Sequence, residues 1–128
     1  MIQRFANGLI PVNFPGLGYF MEMDRPECRD YIQKFMTGKV AEGWRYFKVD
    51  FTYGLSTARV AWDRKKTSFQ SFRSLYELLR KICGPEVLIN SCIGSIDRYP
   101  IGYVDIDRIG GDIGGNWNTV QGNLRDLL

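Results

Sequence analysis

The chain has 128 residues, room for one ordinary domain and too short for a large enzyme. Hydrophobic residues make up 45% and charged residues 24%, which excludes a disordered chain, and a net charge of +3 with scattered basic residues does not point to nucleic acid. There is no histidine, which removes Ser-His-Asp and Cys-His nucleophile pairs and every metal site that needs imidazole, and leaves acid–base work to carboxylates, lysine or tyrosine.

Along the chain, the opening "MIQRFANGLIPVNF" lacks the charged-then-apolar pattern of a signal peptide, and no later stretch approaches about 18 consecutive apolar residues. Residues 9–14, "LIPVNF", are the best early strand candidate. A helix is expected over "MDRPECRDYIQKFMTGKVAEG", with Asp24 and Glu27 as a capping box, Pro26 in the first turn and Gly43 as the stop. Its buried face reads as Cys28, Tyr31, Ile32, Phe35 and Lys39 or Val40. The strand "RYFKVDF" follows directly. Alternation puts Tyr46, Lys48 and Asp50 on one face and Phe47, Val49 and Phe51 on the other.

After an irregular "TARVAWDRKK", whose Arg64-Lys65-Lys66 reads as solvated surface, a second helix runs through "SFQSFRSLYELLRKIC". Thr67 or Ser68 is its N-cap, Phe72, Leu75, Leu79 and Ile82 its apolar stripe, and Gly84-Pro85 its stop. Cys28 and Cys83 read as small buried hydrophobes on the two helices, and three cysteines without a CxxC spacing give no disulfide framework. "EVLINSC" is a strand, "YVDIDRIGGD" contains a short one, and "NWNTVQGNLRDLL" starts a third helix. Strands alternating with helices imply a parallel sheet covered by helices. The stretch between Cys92 and Val104 is barely long enough for a parallel crossover.

The polar residues that break the apolar pattern fall at strand ends: Lys48 and Asp50, then Cys92, then Arg108 and Asp112. In parallel α/β folds ligands bind at the carboxyl ends of strands, and inward-facing charges there need a partner or a task. Taken alone, Lys48 and Asp50 are equally a structural ion pair. "RIGGDIGGNW" sets Asp112 among four glycines, but it is not GxGxxG, and an aspartate in a phosphate nest would repel the anion. A flexible strand-to-helix turn explains the glycines equally well. Two carboxylates on separate strand ends suit glycosidic bond cleavage, where retaining enzymes hold the pair about 5–5.5 Å apart. Lys48 beside Asp50 favours an ionised nucleophile. Asp112, in an uncharged turn next to an aromatic residue, suits a protonated acid, with Arg108 opposing this unless it points at substrate.

The ordered set "YFKVDFTYG", "NSCIGS" and "DIDRIGGDIGGNW", with about sixty residues between the two aspartates, resembles the catalytic core of glycoside hydrolase family 36 α-galactosidases, of clan D. It is similar, more distantly, to the family 27 α-galactosidases and α-N-acetylgalactosaminidases. The resemblance begins near "MDRPECRDYI" and covers about residues 20–128. It implies a partial (β/α)₈ TIM barrel, about strands four to six with flanking helices, in a retaining glycosidase without metal or cofactor. It further implies that Asp50 is the nucleophile and Asp112 the acid/base, and that Lys48, Arg108 and Cys92 bind or line the sugar. Trp117 follows the family pattern as wall or packing. The implied partner is an α-galactoside oligosaccharide or glycoconjugate, with neither nucleic acid nor membrane, and the full-length enzyme would be free to form a homo-oligomer.

The departures bear on the same reading. A (β/α)₈ barrel takes about 250 residues. The chain lacks the adjacent Asp-Asp pair with which the family's early strands bind the galactose 4- and 6-hydroxyls, and it offers nothing for strands seven and eight. It therefore reads as one fragment, residues 1–128, of a longer enzyme, inactive alone and prone to aggregate, oligomerise or fold loosely. The alternatives are an α-N-acetylgalactosaminidase or a raffinose-synthase-like transferase of the same clan, a non-catalytic carbohydrate-binding half-barrel, or an unrelated α/β ligand-binding domain. The sequence does not fix a compartment.

Overall fold

The computed structural model describes residues 13, 14, 16, 18, 19, 21–52, 63–92, 100–108 and 110–125. Asn13–Phe14 (β1) and Gly18–Tyr19 (β2) form a small antiparallel pair. Then come Pro26–Ala41 (α1), Tyr46–Asp50 (β3), Ser68–Cys83 (α2), Leu88–Cys92 (β4), Ile106–Asp107 (β5) and Trp117–Arg125 (α3). From α1 onward this is the order the sequence implied. Of the strand expected at 9–14, only the last two residues fall among those described; 9–12 lie outside, as do 57–62 of the irregular segment and 93–99 of the linker after Cys92.

β3, β4 and β5 make one parallel sheet in that order. The register pairs Tyr46 with Leu88, Lys48 with Asn90 and Asp50 with Cys92, and then Asn90 with Ile106. Even-numbered residues of β3 and β4 thus share one face and odd-numbered residues the other. The odd face meets the helices: Ile89 and Ser91 are fully buried, and Phe47 and Val49 pack against a core of Cys28, Met36, Phe72, Leu75, Tyr76, Leu79, Cys83 and Val87. Cys28 and Cys83 are buried on the two helices as small hydrophobes, outside any disulfide.

α2 starts and stops as its sequence suggests. Thr67 Oγ1 accepts from the Gln70 N–H at 3.2 Å, and Gln70 Oε1 accepts from the Thr67 N–H at 2.8 Å, a reciprocal capping box. Gly84 closes the last turn by donating its N–H to the Arg80 carbonyl at 2.9 Å. α1 departs in two ways. Its N-cap is Arg25 without a side-chain cap bond, so the Asp24–Glu27 capping box does not form. Asp24 is instead buried, accepting from Ser71 Oγ and, at 3.2 Å, from Lys66 Nζ, which ties the start of α1 to the start of α2. Its buried face also differs in part from the expected one. Cys28, Ile32 and Val40 pack on the core as expected and Met36 joins them, whereas Tyr31 and Phe35 are 60% and 52% exposed and stack on each other. The stop at Gly43 is as expected, with φ +99°.

Two arginines on α2 shape the descent into β5. Arg73 donates to the Ile101 carbonyl at 2.9 Å and lies over the Tyr103 ring, 4.6 Å from its centroid. Arg80 donates to the carbonyls of Tyr103, Gly84 and Val87, each at 2.9 Å, and its other nitrogen meets Asp105 Oδ2 at 2.5 Å. Asp105 also accepts the Ile89 N–H at 2.8 Å. That backbone bond first, and Arg80 second, hold its carboxyl below the ordinary value.

Candidate active site

Beyond the end of β3 the chain cannot continue as a strand, because Thr52 is buried against α2. Thr52 Oγ1 lies 3.2 Å from the Tyr76 hydroxyl, which lies 3.2 Å from Ser91 Oγ. This buried chain of hydroxyls fixes the end of β3 and the end of β4 relative to each other. Phe51 therefore falls outside the alternation expected for it. It takes φ +54° and is 46% exposed, whereas Phe47 and Val49 are half-buried.

On the even face the charged residues gather. Lys48 Nζ lies 3.1 Å from Asp50 Oδ2, and the Phe51 N–H donates to Asp50 Oδ1 at 2.8 Å. The Lys48 side chain is 52% exposed and that of Asp50 31%. Partial burial pushes the Asp50 carboxyl up, but the Phe51 N–H, the Lys48 ammonium and the Cys92 thiol together outweigh it and hold the group below its ordinary value. The hydrogen bond to Asp50 raises Lys48, with the Cys92 sulfur adding to it. Cys92 is buried, beside Asp50 in register, and Arg108 Nη1 donates to its sulfur at 3.4 Å. Arg108 is seated by its own N–H, which donates to the Ser91 carbonyl at 2.9 Å. Its Nη2 reaches Asp112 Oδ1 at 2.5 Å.

Lys48, Asp50, Cys92 and Arg108 thus form one connected group at the carboxyl ends of β3 and β4 and the exit of β5. Asp112 joins it only through Arg108, from the segment before α3, with its side chain 94% exposed. Of the two expectations for Asp112, a protonated acid in an uncharged turn or a carboxylate opposed by Arg108, the geometry has the second: the guanidinium contacts the carboxylate. Gly110 makes room for the Asn123 side chain, which a Cβ there would run into and which donates to the Gly111 carbonyl at 3.0 Å.

One neighbour escaped the sequence. Asn90 stands beside Lys48 in register and donates to the Tyr46 hydroxyl at 2.6 Å, while its Oδ1 is buried without a hydrogen-bond partner. Alternation placed it on the right face; its orphan acceptor is visible only in three dimensions. A cleft of about 460 Å³ opens along the edge of β3; Lys48, Asp50 and Thr52 reach it, while Met21, Met23, Ile32, Phe35, Met36 and Phe47 make its walls mostly apolar. Among the described residues, no three Cys, Asp or Glu side chains are grouped to hold a metal ion, and no helix is long and apolar enough to cross a membrane.

No protein-family model matches the chain, and no curated protein does. Among solved structures it is similar to an α-galactosidase from Thermus thermophilus in complex with stachyose, with a TM-score of 0.58 and 19% identity. The match covers 74% of this chain and 19% of that one, so the chain spans about a fifth of the length of the protein it resembles. At that identity the likeness is one of fold: an α/β unit, three parallel strands with helices against one face, matching part of a glycoside hydrolase.

Proposed function

We propose that the chain is the central part of the catalytic barrel of a retaining glycosidase that hydrolyses terminal α-D-galactosidic bonds, and that it works within a longer protein. The observation that carries this reading is the linkage of two carboxylate–cation pairs, Lys48–Asp50 and Arg108–Asp112, through Cys92 at the carboxyl edge of a parallel sheet. The fold likeness to an α-galactosidase solved with stachyose supports the choice of sugar.

In the proposed reaction Asp50 attacks the anomeric carbon as the glycosidic bond breaks, and Asp112 gives its proton to the departing oxygen. A covalent galactosyl–enzyme forms. Asp112 then takes a proton from water, which attacks the same carbon and releases galactose and Asp50, with net retention. The depressed carboxyl of Asp50 suits the first role, because the nucleophile must be ionised. Lys48 and Arg108 donate to sugar hydroxyls; once those hydroxyls engage Arg108, Asp112 is released from its ion pair to act as acid. Cys92 lines the floor, and Asn90 Oδ1 offers a buried acceptor to a sugar hydroxyl.

The test uses the full-length protein and an aryl α-galactoside. Asp50→Gly and Asp112→Gly are each expected to lose activity on the order of 10⁴-fold. With azide, Asp50→Gly yields the β-galactosyl azide by direct inversion. Asp112→Gly, given a good leaving group, yields the α-galactosyl azide through the covalent intermediate. Full activity in both variants rejects the assignment. A second reading, a sugar-binding half-barrel without turnover, is favoured by the exposure of Asp112 and its pairing with Arg108; saturable sugar binding without product would select it.

A further inference from the structure

Phe51 is the one non-glycine residue with positive φ among those described, at +54°. Left-handed backbone brings the Cβ of an L-residue against its own carbonyl and costs free energy, so it persists only where the surroundings enforce it. Burial does not enforce it, because Phe51 is about half exposed. The residues on either side do. Asp50 is the last residue of β3, held in register against Cys92. Thr52 is buried and tied through the Tyr76 hydroxyl to Ser91. An extended residue 51 would carry Thr52 onward along the strand and away from Tyr76. The left-handed turn instead brings it down onto α2, and the same turn aims the Phe51 N–H at Asp50 Oδ1, 2.8 Å away.

The two carboxylate oxygens of Asp50 are consequently held in different ways. Oδ1 is fixed by a backbone donor that has no rotamer to change. Oδ2 meets Lys48, a flexible and half-exposed ammonium. We infer that Phe51 is a positioning residue for Asp50, its enforced left-handed backbone anchoring Oδ1 and leaving Oδ2 as the oxygen that attacks. The inference rests on the reading of Asp50 as nucleophile, but its structural half does not. Besides the Phe51 N–H, the groups that bear on Asp50 are Lys48 from β3 and Cys92 from β4.

The experiment separates backbone from ring. Asparagine accepts positive φ, whereas β-branched valine resists it but keeps an apolar side chain. In the full chain, carbon-13 NMR follows the Asp50 carboxyl titration, and a thermal melt establishes that each variant folds. Phe51→Asn is expected to keep the parental titration and to hold kcat on an aryl α-galactoside close to the parent's. Phe51→Val is expected to move the titration up toward the ordinary carboxyl value and to lower kcat about 10–100-fold with KM little changed. Thr52→Val, which keeps Phe51 and removes the tether, is expected to move the titration the same way. The reverse order, with valine tolerated and asparagine not, assigns the role to the ring and overturns the proposal. So does an Asp50 titration that neither Phe51→Val nor Thr52→Val alters. If the titrations behave as expected while the parent turns over no galactoside, the glycosidase reading falls and the positioning of Asp50 stands.

Discussion

Asp50 accepts a hydrogen bond from its own chain at Oδ1 and an ammonium at Oδ2, and lies next to a thiol in register. Removing the ammonium alone therefore weakens the carboxylate's stabilisation without undoing it. Lys48→Met is expected to raise the Asp50 titration only part of the way back to its ordinary 3.8, because the Phe51 N–H remains; side-chain carboxyl NMR measures it. A full return would mean that the Phe51 N–H and Cys92 together no more than offset the burial of the carboxyl. At this scale the sequence was legible where a period of two decides the matter. Alternation put Lys48 and Asp50 together and apart from Phe47 and Val49, and the structure has them so. It failed at Phe51, because alternation ends where a strand ends, and this strand ends on account of a hydroxyl chain whose members lie 24 and 15 residues apart. A buried tyrosine hydroxyl signals that a partner exists, not which one.

Among the elements, α2 was readable at its cap, its stop and most of its stripe, which are local signals, but not at Tyr76, which is fully buried beside that stripe. α1 was less so. Cys28, Ile32 and Val40 pack on the core as expected, but Tyr31 and Phe35, as apolar and at helical spacing, stay exposed while Met36 goes in. The choice between two overlapping apolar stripes is made by what lies opposite, which no window of α1 contains. Asp24 misled for a related reason: it has the chemistry of an N-cap, but Lys66 and Ser71, more than forty residues on, claim it. α3 gives a test at this scale. Gly110→Ala places a methyl group where the Asn123 side chain packs, so that side chain must swing away and lose its bond to the Gly111 carbonyl, at a cost of about 0.5–1.5 kcal/mol in urea unfolding.

For the molecule as a whole, two carboxyls depressed in the folded state set the response to acid. Asp50 and Asp105 both lie below their ordinary 3.8. Each contributes stability that is fully present above that value and is lost as the pH falls through the lower, folded-state value. The free energy of unfolding is expected to decline below about pH 4. Arg80→Met is expected to flatten part of that decline by removing one of the two causes at Asp105. It should also cost about 2–4 kcal/mol at neutral pH, since three carbonyls lose their charged donor; urea titrations across pH read both effects. The open even face carries Tyr46, Leu88 and Ile106, and the outer side of α1 carries Tyr31 and Phe35, all substantially exposed. These 128 residues alone are expected to elute from gel filtration as more than a monomer and to bind a dye for apolar surface; a sharp monomer peak with a cooperative melt would contradict that.

α2 is also a ruler. Arg73, Tyr76 and Arg80 stand within two turns of one helix, and they reach, respectively, the loop at Ile101, the ends of β3 and β4, and the approach to β5. A helix advances about 1.5 Å per residue, so a slip by a single residue would unseat all three together. The strand ends that carry Asp50, Cys92 and Arg108 therefore cannot fray one by one. They form a single cooperative unit, opening and closing with α2, and the candidate site exists only while that helix is in place.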